Sequence, residues 1–143
     1  MGFDGQKFTI IDHTADLGIT VRGETLERLF ENAAEAMLKI MVNAHALPPM
    51  ETVPIHLDGR DLEDLMVRWL GEILYWLEGE KKVTVHARIV SLSPGHLEAS
   101  IDTIPYSPDD HEILCEIKAV TYHQIGISRK HDDLWEANVI FDV

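Results

Sequence analysis

Apolar residues recur along this chain with two different periods, and the change from one to the other separates strands from helices. From Thr25 onward, Leu26, Leu29, Phe30, Ala33, Met37 and Met41 fall at spacings of three and four. That spacing gathers them on one face of an amphipathic helix. Thr25 is a suitable N-cap, Glu27 sits in the first turn where the helix dipole favours an anion, and Pro48 and Pro49 close the run. A second stripe comprises Leu62, Leu65, Met66, Trp69, Leu70, Ile73, Leu74 and Leu77, with Asp58 or Asp61 as its cap and Gly79 as its stop. A stripe this wide needs a sheet or another helix to cover it.

The remaining segments alternate or are β-branched. Residues 7–11 and 19–22 read as two strands around a polar run, and Gly23 breaks the second. Residues 52–57 read as a strand that Pro54 confines to an edge or a bulge, because proline cannot donate to a ladder. Residues 83–92, 96–103, 113–123, 125–129 and 135–141 supply five more. Pro94-Gly95 and residues 130–133 look like hairpin turns, and 105–111 like a polar loop. Strands joined by short turns are antiparallel neighbours. The pattern therefore predicts a single α+β domain over residues 1–143, with one mostly antiparallel or mixed β-sheet and two amphipathic helices packed on one face.

Composition narrows the function classes. The chain has 143 residues, 45% of them apolar, which is ordinary for a globular protein and too high for a disordered one. Its 25 acidic and 12 basic residues give a net charge of −13. Such a surface repels phosphate backbones, so strong direct binding to nucleic acid is not expected, and a cation or a basic protein partner suits it better. No secretory signal is evident at the N-terminus and no run approaches about 20 apolar residues, so the expectation is a cytoplasmic protein without a membrane span. Cys115 is the only cysteine, which excludes an intrachain disulfide and any multi-cysteine metal site. It alternates with Ile113 and Ile117, a core-facing pattern.

The chain has no glycine-rich phosphate loop, no Gly-x-Ser-x-Gly and no His-Glu-x-x-His. The eight histidines are scattered and most read as solvated or capping residues, and the clusters Asp61/Glu63/Asp64 and Asp109/Asp110/Glu112 read as solvated faces and turns. Two places resist that reading. Asp12-His13-Thr14-Ala15-Asp16-Leu17-Gly18 packs two carboxylates, an imidazole and a hydroxyl between two strands, where an Asx or Ser/Thr turn is the plain structural explanation. At the other end, Phe141 continues the apolar face of Trp135, Ala137 and Val139, and Asp142 and the terminal carboxylate of Val143 follow it. Adjacent anionic groups repel unless solvent or a cation intervenes. Their oxygen donors suit Ca²⁺, Mg²⁺ or Mn²⁺. Spacing alone does not bring Asp16 and Asp142 together, since they are separated by most of the chain.

The segment Ile11-Asp12-His13-Thr14-Ala15-Asp16-Leu17-Gly18-Ile19 resembles the N-terminal signature of the archease family. Lys118-Ala119-Val120-Thr121-Tyr122-His123 and Phe141-Asp142-Val143 resemble its two other hallmarks, in the same order and over the whole chain. The resemblance implies a small, non-catalytic protein cofactor of the GTP-dependent RNA ligase that joins 2′,3′-cyclic phosphate or 3′-phosphate ends to 5′-hydroxyl ends. Such a cofactor promotes guanylylation of the ligase and its multiple turnover in tRNA splicing and RNA repair. It also implies one divalent cation held by Asp16, Asp142 and the main chain of Val143. Asp12 matches a position that is also Glu in the family, which points to tuning rather than ligation. Lys118 is placed near the functional end, where its alternative is an exposed strand lysine, and His123 is read as a hairpin-end histidine. The residues also allow a different class of function, a small metal-dependent phosphoesterase in which Asp12 and Asp16 hold the cation and His13 serves as general base.

Overall fold

The computed structural model describes residues 8–12, 16–44 and 50–143. Thr25 caps the first helix through its side-chain oxygen, which accepts the Arg28 N–H at 3.1 Å. The helix, α1 (Leu26–Met41), buries Leu29, Phe30, Ala33, Met37 and Ile40 along the expected face. It ends at Met41; Pro48 and Pro49 lie outside the described residues. Asp61, not Asp58, caps α2 (Leu62–Glu78) by accepting the Asp64 N–H at 2.8 Å, and Gly79 closes it. The stripes of the two helices meet where the buried Trp69 indole donates to the Phe30 carbonyl at 2.9 Å.

The strands are β1 (Phe8–Asp12), β2 (Asp16–Gly23), β3 (Val42–Asn43), β4 (Glu51–Asp58), β5 (Lys82–Ser93), β6 (His96–Pro105), β7 (Glu112–Ile113), β8 (Ala119–Val120), β9 (Gly126–Arg129) and β10 (Trp135–Asp142). Every pairing among them is antiparallel. The α+β class holds, but the strands do not form one sheet. A five-stranded sheet runs β1-β2-β10-β8, with β9 also on β10, and a separate three-stranded sheet runs β4-β6-β5. Strands β3 and β7 form a third, two-stranded sheet. Helix α1 packs against both β2 and β5, so the helices join the two larger sheets through a shared core. As the proline demands, β4 is an edge strand. No helix among the described residues is long and apolar enough to cross a membrane.

The division of the sheet follows from residues 113–123, which do not make the continuous strand that their alternation suggests. Leu114 and Cys115 both donate their N–H groups to the Met41 carbonyl at the end of α1, at 2.9 and 3.3 Å, so this stretch satisfies a helix terminus instead of a ladder. Ile117 is buried, Cys115 is half-buried and Ile113 is exposed. At the opposite end of the large sheet, Gly23 lets β2 pass close to α1; a Cβ there would lie 2.5 Å from the Leu29 nitrogen.

Two polar groups, one from the segment read as a polar loop and one from a cluster read as a solvated face, are buried. His111 accepts the Ser107 N–H on Nδ1 at 3.0 Å and tilts against Tyr106. Asp64 belongs to no solvated face: it is 1% exposed and anchors the loop after β8. Its Oδ1 accepts the Tyr122 hydroxyl at 2.6 Å, and its Oδ2 accepts the Arg60 N–H at 2.9 Å and the Arg68 guanidinium at 3.0 Å. The Arg60 guanidinium lies over the Tyr122 ring, 5.8 Å from its centroid. The Tyr122 hydroxyl, the Arg60 N–H and Arg68 hold the Asp64 carboxyl well below the usual carboxylate range against its burial, and Asp64 in turn pushes the Tyr122 hydroxyl up.

Two outcomes follow from this packing. Trp69→Ala should destabilise the fold by about 3–5 kcal/mol in denaturant unfolding, because it empties the contact between the helices and removes their shared hydrogen bond. The folded-state pKa of Asp64 is depressed, so its contribution is full above the ordinary value of 3.8 and is lost as pH falls from there toward the folded value. Asp64→Asn should lower the urea midpoint at neutral pH and flatten its fall in acid; parallel pH profiles for the two proteins would contradict the anchor role.

Candidate functional site

The two ends of the chain meet through the register of β2 and β10. Their ladder pairs eight consecutive residues, from Trp135 opposite Gly23 to Asp142 opposite Asp16. One face of this ladder carries Leu17, Ile19 and Val21 against Phe141, Val139 and Ala137, of which Ile19, Val21, Ala137, Val139 and Phe141 are fully buried. A slip by one residue would turn that apolar set outward, so burial fixes the register. The register then places two aspartates side by side at the end of the sheet.

Hydrogen bonding refines that pair. The Asp142 carbonyl turns toward β8 and accepts the Lys118 N–H at 2.7 Å. Asp142 and Asp16 are therefore a non-hydrogen-bonded pair, the kind whose Cα atoms approach to about 4.5 Å and whose side chains are closest. Asp16 is half-buried and Asp142 is exposed. Like charges directly opposite one another destabilise a ladder. No cation from a neighbouring side chain offsets them in the ion pairs of the described residues. A hard divalent cation fits such a pair by charge and by donor type, since both side chains offer only oxygen.

The other predicted residues distribute around this end. Lys118 is exposed and immediately precedes Ala119, which stands opposite Asp142 on the far side. Asp12, the last residue of β1, stands opposite Leu17, one position from Asp16. His13 lies outside the described residues, as do Thr14 and Ala15. Val143, 37% exposed, follows directly after β10. His123 is exposed, and its own N–H donates to the Thr121 hydroxyl at 3.3 Å, as a turn residue does. Thus Asp12, Asp16, Lys118, Asp142 and Val143 share one end of the large sheet, and His123 lies just beyond it.

Residues that were not singled out as site candidates hold this end in place. Thr121 donates both its N–H and its hydroxyl to the Ile140 carbonyl, at 3.0 and 2.9 Å, which ties the segment after β8 to β10. Tyr122 ties the same segment to Asp64 on α2. Gln124, in the left-handed region at φ 54°, lets the chain turn so that the Ile125 N–H reaches the Tyr122 carbonyl at 3.3 Å. Asp64 escapes a sequence reading that groups it with Asp61 and Glu63. The usable signal is the spacing Arg60, Asp64, Arg68, which puts an arginine four residues to either side of one carboxylate.

The chain has relatives in both sequence and fold. The Archease protein family (MTH1598/TM1083) matches residues 8–143. Protein archease of Methanosarcina acetivorans is 34% identical over 147 aligned residues that span all of both chains. The solution structure of Methanobacterium thermoautotrophicum protein 1598 superimposes with a TM-score of 0.76 at 29% identity, covering 96% of this chain and 99% of that one. A Thermotoga maritima archease, described as a possible chaperone, shares the fold at a TM-score of 0.66 and 23% identity, covering 93% and 94%. By the extent of the family match and the full-length likeness to curated relatives, the chain belongs to the archease family.

Proposed function

We propose that this chain is a cytoplasmic, metal-bearing protein activator of a GTP-dependent RNA ligase, promoting guanylylation of that enzyme and its multiple turnover in tRNA splicing and RNA repair. The observation that carries this reading is the direct opposition of Asp16 and Asp142 across β2 and β10, because it unites two of the motifs by which the chain resembles its family. Asp16, Asp142 and the main-chain carbonyl of Val143 would hold one Ca²⁺, Mg²⁺ or Mn²⁺, and the bound ion would supply positive charge to phosphate oxygens of a nucleotide.

The chain's own residues determine how that end is presented. Lys118 fixes the Asp142 carbonyl through its backbone N–H, and its side chain is exposed. Thr121 and Tyr122 brace the segment against β10 and α2, so the acidic end is held on rigid elements. The net charge of −13 favours approach to a basic cleft on the ligase, where RNA phosphates would otherwise lie. By the family resemblance Asp12, whose backbone stands one ladder position from Asp16, would tune the charge of the end without ligating.

Guanylylation of the partner ligase, measured with and without the chain at substoichiometric ratio, tests the proposal. Asp16→Ala and Asp142→Ala should each abolish the stimulation and lower divalent-ion affinity in calorimetry, with circular dichroism unchanged, because neither side chain belongs to the core. Normal stimulation by either variant would remove the assigned site. Hydrolysis of nucleotides or phosphoesters by the isolated chain would instead favour the phosphoesterase built on Asp12, His13 and Asp16. Binding to the ligase should weaken steadily as ionic strength rises, and salt-independent affinity would contradict the electrostatic approach.

A further inference from the structure

A second candidate site lies on the other large sheet. The ladder of β4 and β6 sets His56 opposite Glu98 and Asp58 opposite His96. Residues two apart on a strand share a face, so these four side chains form a square. They lie on the outer face, since Leu97 between them and the flanking Ile55 and Ala99 are buried on the other face. His56 Nδ1 is 3.2 Å from Glu98 Oε1, and His96 Nε2 is 3.7 Å from the same oxygen. The donor atoms of His56, His96 and Glu98 all lie within 4.8 Å of one another. A tetrahedral zinc ion, with bonds of about 2.0–2.2 Å to nitrogen and oxygen, needs donors about 3.3–3.5 Å apart. The spacing around Glu98 Oε1 is already close to that.

We infer that His56, His96 and Glu98 form a Zn²⁺ site, oriented by Asp58 and left with an open fourth position. Imidazole nitrogen selects an ion of this borderline class over Ca²⁺ or Mg²⁺, which prefer all-oxygen surroundings. The supporting contacts match those of ligating histidines. Asp58 Oδ1 takes His96 Nδ1 at 2.9 Å, which leaves Nε2 for the metal, and the second oxygen of Glu98 accepts the Ser91 hydroxyl at 3.2 Å. The Gly59 N–H donates to the Gly95 carbonyl at 3.1 Å and closes the ladder just beyond the square. Solvent reaches the site directly, for the His56 and His96 side chains are 65% and 44% exposed. This site is on a different sheet from Asp16 and Asp142 and does not depend on them.

Titration of the untagged full chain with Zn²⁺, and with Co²⁺ as a spectroscopic probe, tests the inference. One equivalent should bind at this square, with the intense visible absorption of four-coordinate cobalt. His56→Gln and His96→Gln should each remove that absorption, and Asp58→Asn should weaken zinc binding by about 10–100-fold. Asp142→Ala should leave the cobalt spectrum intact. The exposure of both histidines keeps these variants folded, which circular dichroism verifies. Absence of zinc binding, or a cobalt spectrum that survives His96→Gln, would reduce the square to ordinary ion pairs and overturn the inference.

Discussion

The pairing of β2 with β10 is the constraint on which the rest of the molecule depends. It buries an unbroken set of apolar side chains on one face, and that burial leaves the strands a single register. The register has a chemical by-product at its end: two carboxylates that repel each other are held side by side by hydrophobic packing a few residues away. The same force that builds the core therefore concentrates negative charge at one tip.

The tip is braced from a second direction. The segment that carries Lys118, Thr121 and Tyr122 is stitched to β10 by backbone and hydroxyl donors, and to α2 by a buried carboxylate. Asp64 tolerates burial because three donors converge on it, and removing any one would leave the others facing a less satisfied charge. Its arginines remain largely exposed, so a buried anion is shared with the surface through α2. Stability and the presentation of the site thus share one hydrogen-bond network.

Both helices and the Thr25 cap were legible in the sequence, and the second cap was narrowed to Asp58 or Asp61, because a period of three to four and a Thr or Asp at its start are local properties. The edge position of β4 was legible from Pro54, and the hairpin turns from their composition. The partition into separate sheets was not, because the alternation of Ile113, Cys115 and Ile117 carries no sign that the neighbouring N–H groups go to the end of α1. Burial of Asp64 was hidden for a related reason: its phenol partner is 58 residues away. The meeting of Asp16 and Asp142 followed from no spacing rule. It entered through resemblance, and the ladder supplies its physical basis. The square of His56, Asp58, His96 and Glu98 was likewise invisible, since each histidine looks isolated until β4 and β6 are set in register.

The place of β10 within the large sheet carries a consequence for how the chain reaches this state. It is flanked by β2 on one side and by β8 and β9 on the other, so the sheet's central member is drawn from the far end of the sequence. Closing it against β2 spans loops of more than a hundred residues, and loop closure of that reach is a slow, entropically opposed step. The helices can form early from local contacts. The acidic tip is assembled only when this distant strand arrives, which makes an intact tip a sign that folding has been completed.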